Sequence, residues 1–309
     1  MQADWMQKAA QAAEPMKAQT VPVVPGRRLH IDGDMLAYWA GGNEDTDVAT
    51  SRRILATKVE GMKYAAGAES VIVHLTARTS TKANRFLIAT VKPYQGQRKG
   101  GRRPKNWEYL REWMEAGDTF PFRTKLWANR EADDGFAYIG RTEGPQAVIA
   151  TKDKDMRMIT GCWHQNWDDM SLLYLPPDTF ALVHAEKLYG HKWFWQQMLQ
   201  GDTADNIPGL PKYGGKPVGA ATAERLLKDV QSNEDALEVV CGAYDLHYAD
   251  GWRDAMLEQA LLLWLRDDQH AHPSNVLRML PAAVFSKPLT RVIERIEEAY
   301  AQAAAIQGS

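Results

Sequence analysis

Cysteines, long apolar runs and a net excess of charge are all scarce in this 309-residue sequence. The two cysteines, Cys162 and Cys241, lie far apart without the spacing of a metal site, so we expect two reduced thiols in a cytoplasmic protein. The longest apolar run, at 260–265, is much shorter than the roughly 18 residues that a membrane span needs. Residues 1–20 carry scattered charges and no apolar block, which argues against a secretory signal.

The charges nearly balance, but they are unevenly distributed. There are 37 Lys and Arg residues against 39 Asp and Glu, and 45% of the residues are hydrophobic, which is typical of a soluble globular protein. Residues 92–107 hold six basic side chains, three glycines and no acid, whereas acids gather in short motifs elsewhere. The near-zero net charge argues weakly against a nucleic-acid partner, but this separation of charge keeps that class of partner open.

The pattern of apolar residues predicts an α/β fold with a parallel sheet. Short β-branched runs predict buried strands, and apolar residues at helical spacing predict helices between them. The predicted strands span 29–32, 70–76 and 146–151, and the predicted helices span 48–66, 104–116 and a stretch to 141 that Asn129 caps. Such alternation is typical of a parallel sheet. Residues 186–306 are predicted to be mostly helical, with a Gly/Pro-rich interruption at 208–219.

Acids occur in four short motifs, each where a predicted strand ends or a helix begins. The members are Asp32 and Asp34, then Glu131, Asp133 and Asp134, then Asp153 and Asp155, and finally Asp202 and Asp205. The carboxyl ends of parallel strands share one edge of the sheet, where sites form. Carboxylates are also favoured in the first turn of a helix, where they point toward its end. We therefore expect the four motifs to converge.

A convergence of these acids requires cations, because about eight carboxylates in one pocket cannot all ionise alone. Oxygen ligands without nearby His or Cys favour Mg²⁺ or Mn²⁺ over zinc. Two such ions about 4 Å apart would hold the attacking and leaving oxygens of a phosphodiester. Removing eight of these nine acids from the total of 39 leaves 31 against 37 bases, a net charge of +6. Each motif alone is an ordinary cap, turn or solvated helix start, so the prediction depends on all four.

Two segments are candidates for contact with a nucleic-acid backbone. The basic segment at 92–107 offers cations, a tyrosine ring and flexible glycines, although a solvated loop is the commoner outcome for such a run. Residues 201–227 predict a helix end, a Gly/Pro loop and a new helix near Ala220, so that backbone N–H groups can hold a phosphate. A plain interhelical turn is the alternative, although this loop has more Gly and Pro than a turn needs.

Five motifs, taken in order, resemble those of the 5′ nuclease family: flap endonucleases, the 5′-nuclease domain of bacterial DNA polymerase I and tailed-phage 5′–3′ exonucleases. They are Asp-Gly-Asp at 32–34, Tyr-Gln-Gly-Gln-Arg at 94–98, Glu-Ala-Asp-Asp at 131–134, Thr-Lys-Asp-Lys-Asp at 151–155 and Gly-Asp-Thr-Ala-Asp-Asn-Ile-Pro-Gly at 201–209. The resemblance covers about residues 28–230.

The resemblance implies how the chain is divided. An N-terminal extension at 1–27 would precede a PIN-like, parallel-sheet nuclease core at 28–185, with a basic arch at about 80–117. A helical DNA-binding region at 186–309 would contain a helix–three-turn–helix element at about 196–229.

The resemblance also implies site residues for a hydrolase with two Mg²⁺ ions, which Mn²⁺ can replace, and a K⁺ ion in the helical hairpin. Asp32, Glu131 and Asp133 match positions at the first metal, and Asp134, Asp153, Asp155, Asp202 and Asp205 match positions at or near the second. The implied catalytic residues are Asp32, Arg98, Glu131, Asp133 and Asp155. The implied DNA contacts are Arg85, Lys92, Tyr94, Arg98, Lys99, Arg102, Arg103, Gly209, Gly219 and Thr222.

The implied activity is that of a 5′–3′ exonuclease and flap endonuclease. Its partners would be DNA 5′ ends, flaps or nicks, and RNA–DNA hybrids from which it removes RNA primers. We expect a free-standing monomer with no membrane partner, in the cytoplasm, or in the host cytoplasm if the protein is phage-encoded.

Departures from the family pattern leave other functions open. The family's acid after its second strand is replaced by Thr76 or Ala77, its arch lysine is replaced by Gln95, and the hairpin loop carries extra residues at 211–219. The candidate to replace the acid is Asp34. The candidates to replace the lysine are Lys92, Lys99 and Arg85. The leading alternative is therefore a structure-specific DNA-binding protein with impaired catalysis. A haloacid-dehalogenase-like phosphatase would use the motifs at 32–34 and 201–205, but it leaves Glu-Ala-Asp-Asp unexplained.

Overall fold

A six-stranded sheet forms the centre of the protein. The computed structural model describes residues 21–98 and 101–307. The strands are β1 Val24–Asp32, β2 Ala68–Thr76, β3 Arg123–Trp127, β4 Ala147–Ala150, β5 Trp163–Gln165 and β6 Leu172–Tyr174. They lie in the order β3-β2-β1-β4-β5-β6, and every neighbouring pair is parallel except β5 and β6. This mostly parallel sheet confirms the α/β prediction.

The three strands that the sequence predicts lie together in the middle of this sheet. β1 pairs with β2 and β4, so that Leu29 lies opposite both Val71 and Val148. Leu29 and Ile31 are fully buried because helices cover both faces of the sheet, and the histidines buried in the same strands, His30 and His74, bond each other at 3.0 Å. β3 was not predicted because it is an edge strand with mostly exposed residues, including Arg123, and so lacks an apolar pattern. Basic residues on an edge strand protect the sheet from pairing with another chain.

Helices fill the rest of the fold. The first five are α1 Gly33–Ala40, α2 Val48–Ala66, α3 Arg85–Ile88, α4 Trp107–Ala116 and α5 Ala132–Glu143. The others are α6 His191–Gln200, α7 Ala220–Leu226, α8 Asn233–Tyr248, α9 Trp252–Leu263 and α10 Ala282–Gln307. Two small hairpins join them, β7 Leu182–His184 with β8 Lys187–Tyr189, and β9 Lys212–Tyr213 with β10 Lys216–Pro217. In the described part of the chain, no helix has the length and apolar content to cross a membrane.

Helix α2 has the predicted bounds, while two other helix starts differ from the prediction. α4 begins at Trp107 rather than near Pro104. Asn129 does not cap α5; Glu131 does, because the Glu131 carboxylate accepts from a first-turn N–H and the Asp134 carboxylate accepts from the Glu131 N–H at 3.3 Å. This reciprocal capping box places three acids at the start of α5.

The C-terminal helices pack onto one face of the sheet. Helices α1, α2 and α4 cover the other face in one hydrophobic cluster. A second cluster joins Ile149 of β4 and Phe136 of α5 to Trp195 of α6 and Leu257 of α9. Because α6 belongs to this second cluster, the loop after it is brought to the carboxyl edge of the sheet.

Candidate metal centre and nucleic-acid interface

Asp32 and Asp153 lie side by side at the carboxyl edge of the sheet. Asp32 ends β1 and caps α1, with its Oδ1 accepting a hydrogen bond from the Met35 N–H at 2.9 Å. Thr151, just after β4, donates its hydroxyl to Asp32 Oδ2 at 2.9 Å and accepts from the Asp153 N–H at 3.0 Å. Since β1 and β4 are neighbours, one threonine links the Asp32 carboxylate to the backbone of Asp153.

Asp133, in the first turn of α5, also lies at this edge. Burial raises the pKa of Asp133 well above its ordinary value, and the charges of Asp153, Glu131, Asp32 and Asp155 raise it further. Burial likewise raises the pKa of Asp32 to about 7; neighbouring carboxylates add to this rise, and its two hydrogen bonds oppose it. These mutual effects show that the acids of three motifs converge as predicted.

A second group of acids is formed by Asp155, Asp202 and Asp205. One carboxylate oxygen from each lies within 4.8 Å of the others. Lys154 Nζ lies 2.6 Å from Asp202 Oδ2 and 3.2 Å from Asp155 Oδ1. Gln197, on α6, donates its Nε2 to Asp155 Oδ1 at 2.6 Å. This group therefore joins the sheet edge to the loop after α6.

The two carboxylates beside Lys154 differ in their preference for a proton. Burial raises the pKa of Asp155 to about 8, and the charges of Asp153 and Asp202 add to this effect. Burial also disfavours ionised Asp202, but the hydrogen bond and charge of Lys154 lower its pKa below the ordinary value. In the metal-free protein at neutral pH, Asp202 is therefore ionised while Asp155 favours the protonated form.

The loop that carries Asp202 depends on two glycines. Gly201 and Gly209 have φ values of 73° and 65°, which residues with a Cβ rarely adopt. A Cβ on Gly209 would lie 2.2 Å from the Gly201 nitrogen, so the two glycines are in backbone contact. Between them, Asp202 and Ile207 exchange backbone hydrogen bonds of 2.8 and 2.7 Å. Gly209 is buried and donates its N–H to Gln259, so the prediction that it contacts DNA is wrong.

Tyr94 and Gln95 connect the two groups of acids. The Tyr94 hydroxyl donates to Glu131 Oε2 at 2.6 Å and lies 3.1 Å from Asp205 Oδ2. Gln95 Nε2 lies 3.0 Å from Glu131 Oε1 and 3.1 Å from Asp205 Oδ1. Tyr94 is only 4% exposed, so it cannot stack on a nucleic-acid base as predicted. Its ring instead fills space beneath the site.

Asp134 and Arg85 form a buried ion pair, which corrects two predictions. The Arg85 guanidinium bonds both oxygens of Asp134, at 2.7 and 2.8 Å, and neither side chain is more than 2% exposed. Burial opposes ionisation of Asp134, but Arg85 holds its pKa below the ordinary value. Arg85 also donates to the carbonyls of Leu262 and Trp264. Asp134 is therefore not available to a metal, and Arg85 is not available to DNA or to replace the arch lysine.

The basic segment lies beside the loop that follows α1. Lys92 is exposed, and the Arg102 side chain is 87% exposed with its guanidinium 3.2 Å from Glu44. The Arg103 guanidinium stacks 4.1 Å from the centre of the Trp107 ring. Lys99 and the side chain of Arg98 lie outside the described residues. These side chains remain predicted DNA contacts, as do exposed Gly219, which caps α7, and half-buried Thr222.

Asp34 lies where the family's second-strand acid is expected. Its Oδ2 accepts a hydrogen bond from the Thr76 N–H at 3.3 Å, so its carboxylate lies at the end of β2. Arg111 of α4 forms an ion pair with it. The Thr76 hydroxyl instead accepts from the Ala132 N–H at 2.9 Å at the start of α5. Asp34 therefore lies at the end of β2 but is paired with Arg111, and its replacement of the missing acid remains a prediction.

Sequence reasoning missed Lys82 as a residue of the site. Its Nζ lies 3.4 Å from Glu131 Oε1 and 2.6 Å from Gln95 Oε1. It precedes the basic segment and belongs to none of the five motifs. The polar run Ser80-Thr81 is typical of a turn, but nothing in the sequence indicates that the turn points toward Glu131.

The observed donors fit divalent cations that prefer oxygen. The converging side chains are carboxylates, and two of them have pKa values raised to about 7 and about 8 because negative charge is crowded and buried. A bound cation would remove that destabilisation, and carboxylate oxygens are the ligands of Mg²⁺ and Mn²⁺. The residues present are therefore suited to the predicted metals.

The fold is that of the 5′ nucleases. The flap endonuclease of bacteriophage T5, solved with DNA and metal ions, is 15% identical, covers 88% of this chain and 99% of its own, and has a TM-score of 0.57. The T5 5′-exonuclease, solved with zinc ions, is 16% identical with coverages of 87% and 99% and a TM-score of 0.57. No protein-family model and no curated protein sequence matches this chain.

Proposed function

We propose that this protein is a metal-dependent 5′ nuclease acting as a 5′–3′ exonuclease and structure-specific flap endonuclease. Its proposed substrates are DNA 5′ ends, flaps and nicks, and RNA primers in RNA–DNA hybrids. The single observation that carries the proposal is the convergence of carboxylates from four separate chain segments on this fold. Crowding of that kind is unfavourable in a protein that only binds DNA, because the acids repel both one another and the phosphates.

Two Mg²⁺ ions, replaceable by Mn²⁺, are the proposed cofactors. The proposed ligands are Asp32, Glu131 and Asp133 on one side, and Asp155, Asp202 and Asp205 on the other. Asp153, expected from the sequence at the second ion, is proposed for the first because Thr151 links it to Asp32. Bound ions of this kind lower the pKa of water and neutralise charge on a phosphodiester. The protein's own contribution is orientation: Thr151 fixes Asp32, and Gln197 fixes Asp155.

The proposed DNA contacts flank this centre. Lys92, Arg98, Lys99, Arg102 and Arg103 are proposed to bind phosphates of a strand that passes the basic segment. The hairpin from α6 to α7 is proposed as the helix–three-turn–helix element, with Gly219 and Thr222 near a duplex phosphate and a K⁺ ion in the loop. Its backbone contacts would bind DNA without regard to sequence.

The alternative is a DNA-binding protein with impaired catalysis. The observation that favours it is Gln95, which occupies the motif position of the family's arch lysine. A phosphatase of the haloacid-dehalogenase type would have a different arrangement, and the observed fold argues against it.

A cleavage assay with a 5′-labelled flap duplex tests the proposal. We expect Mg²⁺-dependent release of short 5′ products from the flap, and none in EDTA or from a small phosphomonoester. Tight binding to the flap without cleavage in either Mg²⁺ or Mn²⁺ would instead establish the alternative. Cleavage of the phosphomonoester alone would contradict both readings.

A further inference from the structure

Lys82 lies in an unusual backbone turn at the edge of the metal centre. Lys82, Ala83 and Asn84 have φ values of 48°, 54° and 62°, so three successive residues other than glycine are left-handed. Each such residue costs of the order of a kcal/mol or more, and conformations of this kind persist where surrounding contacts impose them, often at functional sites. The observed strain is therefore a reason to ask what the turn positions.

The contacts that impose this turn come from the segment that leads to Glu131. The Thr81 N–H donates to the carbonyl of Ala128 at 3.0 Å, and the Ala83 N–H donates to the carbonyl of Asn129 at 3.1 Å. From the other side, the buried Arg266 guanidinium donates to the Ala83 carbonyl at 2.6 Å. The turn and the start of α5 are consequently one hydrogen-bonded unit, which fixes the distance from Lys82 to Glu131.

The ammonium group of Lys82 faces the acids and is held there by Gln95. Gln95 accepts from Lys82 Nζ at 2.6 Å, while the other end of the same amide bonds Glu131 and Asp205. The Lys82 side chain is 24% exposed, so its charge remains accessible to solvent. Gln95 is itself left-handed, with a φ of 54°. The amide therefore bridges a cation to both groups of metal-binding acids.

We propose that Lys82 supplies the positive charge at the reacting phosphate that the Tyr-Gln-Gly-Gln-Arg motif lacks at Gln95, and that Gln95 positions it. This inference rests on the proposed nuclease function. During hydrolysis, the oxygen of water bonds to phosphorus while the bond from phosphorus to the leaving oxygen breaks. Water loses a proton and the leaving oxygen gains one. Lys82 stays protonated throughout and stabilises the charge that develops on a non-bridging oxygen.

The other basic residues near the site are less suited to this role. Arg85 is buried against Asp134, and Lys154 is paired with Asp155 and Asp202. Lys92 is exposed on the basic segment. Lys82 is the residue whose ammonium is directly bonded to the amide at the position of the family's lysine.

A charge swap tests the inference. The variants are Lys82→Gln, Lys82→Arg, Gln95→Lys and the double variant Lys82→Gln with Gln95→Lys. Lys287→Gln, at an exposed position of α10, is the matched control. Single-turnover cleavage of a 5′-flap duplex is measured at saturating Mg²⁺. We expect Lys82→Gln to lower the rate by roughly 100-fold, the loss typical for removal of one charge-stabilising donor. Lys82→Arg and the double variant should each cleave at no less than about a tenth of the wild-type rate. That rate is about tenfold above the rate expected for Lys82→Gln.

Metal binding without DNA distinguishes catalysis from simple charge neutralisation. If Lys82 only neutralises Glu131, its removal makes the centre more negative, so Mn²⁺ binds more tightly in titration calorimetry while the saturated cleavage rate is unchanged. That result would overturn the inference. So would a Lys82→Gln rate equal to that of Lys287→Gln, or a loss that neither Lys82→Arg nor the double variant restores.

Flap cleavage by the wild-type protein distinguishes a failure of this inference from a failure of the proposed nuclease function. A wild type that binds the flap but never cleaves it overturns both the nuclease proposal and the role of Lys82. An active wild type with an equally active Lys82→Gln variant leaves the nuclease proposal standing and overturns only the role of Lys82.

Discussion

Replacing Asp32 by asparagine should stabilise the metal-free protein. Burial and neighbouring acids raise the pKa of Asp32 from 3.8 to about 7. At about 1.36 kcal/mol per pKa unit, the ionised form therefore costs roughly 4 kcal/mol of folding stability at pH 8. Asparagine removes that cost and keeps an oxygen acceptor for the Met35 N–H, while Thr151 can turn its hydroxyl to accept from the new amide.

The sign of the effect also fixes its pH dependence. Because the folded-state pKa of Asp32 lies above its unfolded value, wild-type stability falls as the pH rises from about 4 to about 7 and then stays low. Asp32→Asn should therefore match wild type near pH 4 and exceed it by up to about 4 kcal/mol at pH 8. Urea unfolding in EDTA measures both limits, and a destabilised variant at pH 8 would refute the argument.

A neighbouring aspartate provides the control. Asp134→Asn removes the closer carboxylate partner of buried Arg85 and leaves only Glu131 at 3.4 Å, which should cost up to about 3–5 kcal/mol in the same buffer. The two isosteric substitutions thus have opposite predicted signs, although both residues lie at the same edge of the sheet. Mg²⁺ at about 100 times its dissociation constant should then stabilise wild type by about 2.7 kcal/mol, and should stabilise Asp32→Asn less.

Three further predictions concern activity and the loop after α6. Asp155→Asn should abolish flap cleavage in Mg²⁺ while DNA affinity, measured by fluorescence anisotropy, stays within a few-fold; cleavage near the wild-type rate would exclude Asp155 as a ligand. Arg102→Glu with Arg103→Glu should weaken DNA binding and reduce the slope of log binding constant against log salt concentration by about 0.9 per lost duplex phosphate contact. An unchanged slope would show that these residues belong to an ordinary solvated loop. Gly209→Ala should lower the thermal midpoint and weaken Mn²⁺ binding, because its Cβ would lie 2.2 Å from the Gly201 nitrogen; unchanged binding would contradict the role of this backbone contact.

The sequence was informative where periodicity and burial coincide. Helix α2 was predicted with its observed bounds because Leu55, Val59 and Met62 recur at helical spacing and are all fully buried. The central strands were predicted because strands covered on both faces are mostly apolar. Acids at strand ends could be expected to converge because parallel strands share a carboxyl edge.

The errors have a different physical origin, which is pairing between distant segments. Arg85 looked like a DNA contact because its charge is visible in the sequence, whereas its partner Asp134 lies 49 residues away. Tyr94 looked like a stacking ring for the same reason, before its hydroxyl was seen to bond Glu131. Lys82 gave no signal because its position depends on three left-handed residues that local propensity disfavours.

The late position of Asp202 and Asp205 in the chain has a consequence for synthesis. The ribosome releases β1, β4 and α5 first, so the nascent protein exposes its early carboxylates before the second group of acids can form. Helix α6 must emerge and join the cluster around Phe136 before the loop reaches the sheet edge. On the proposed function, the metal centre is therefore complete only when most of the chain has been synthesised and folded.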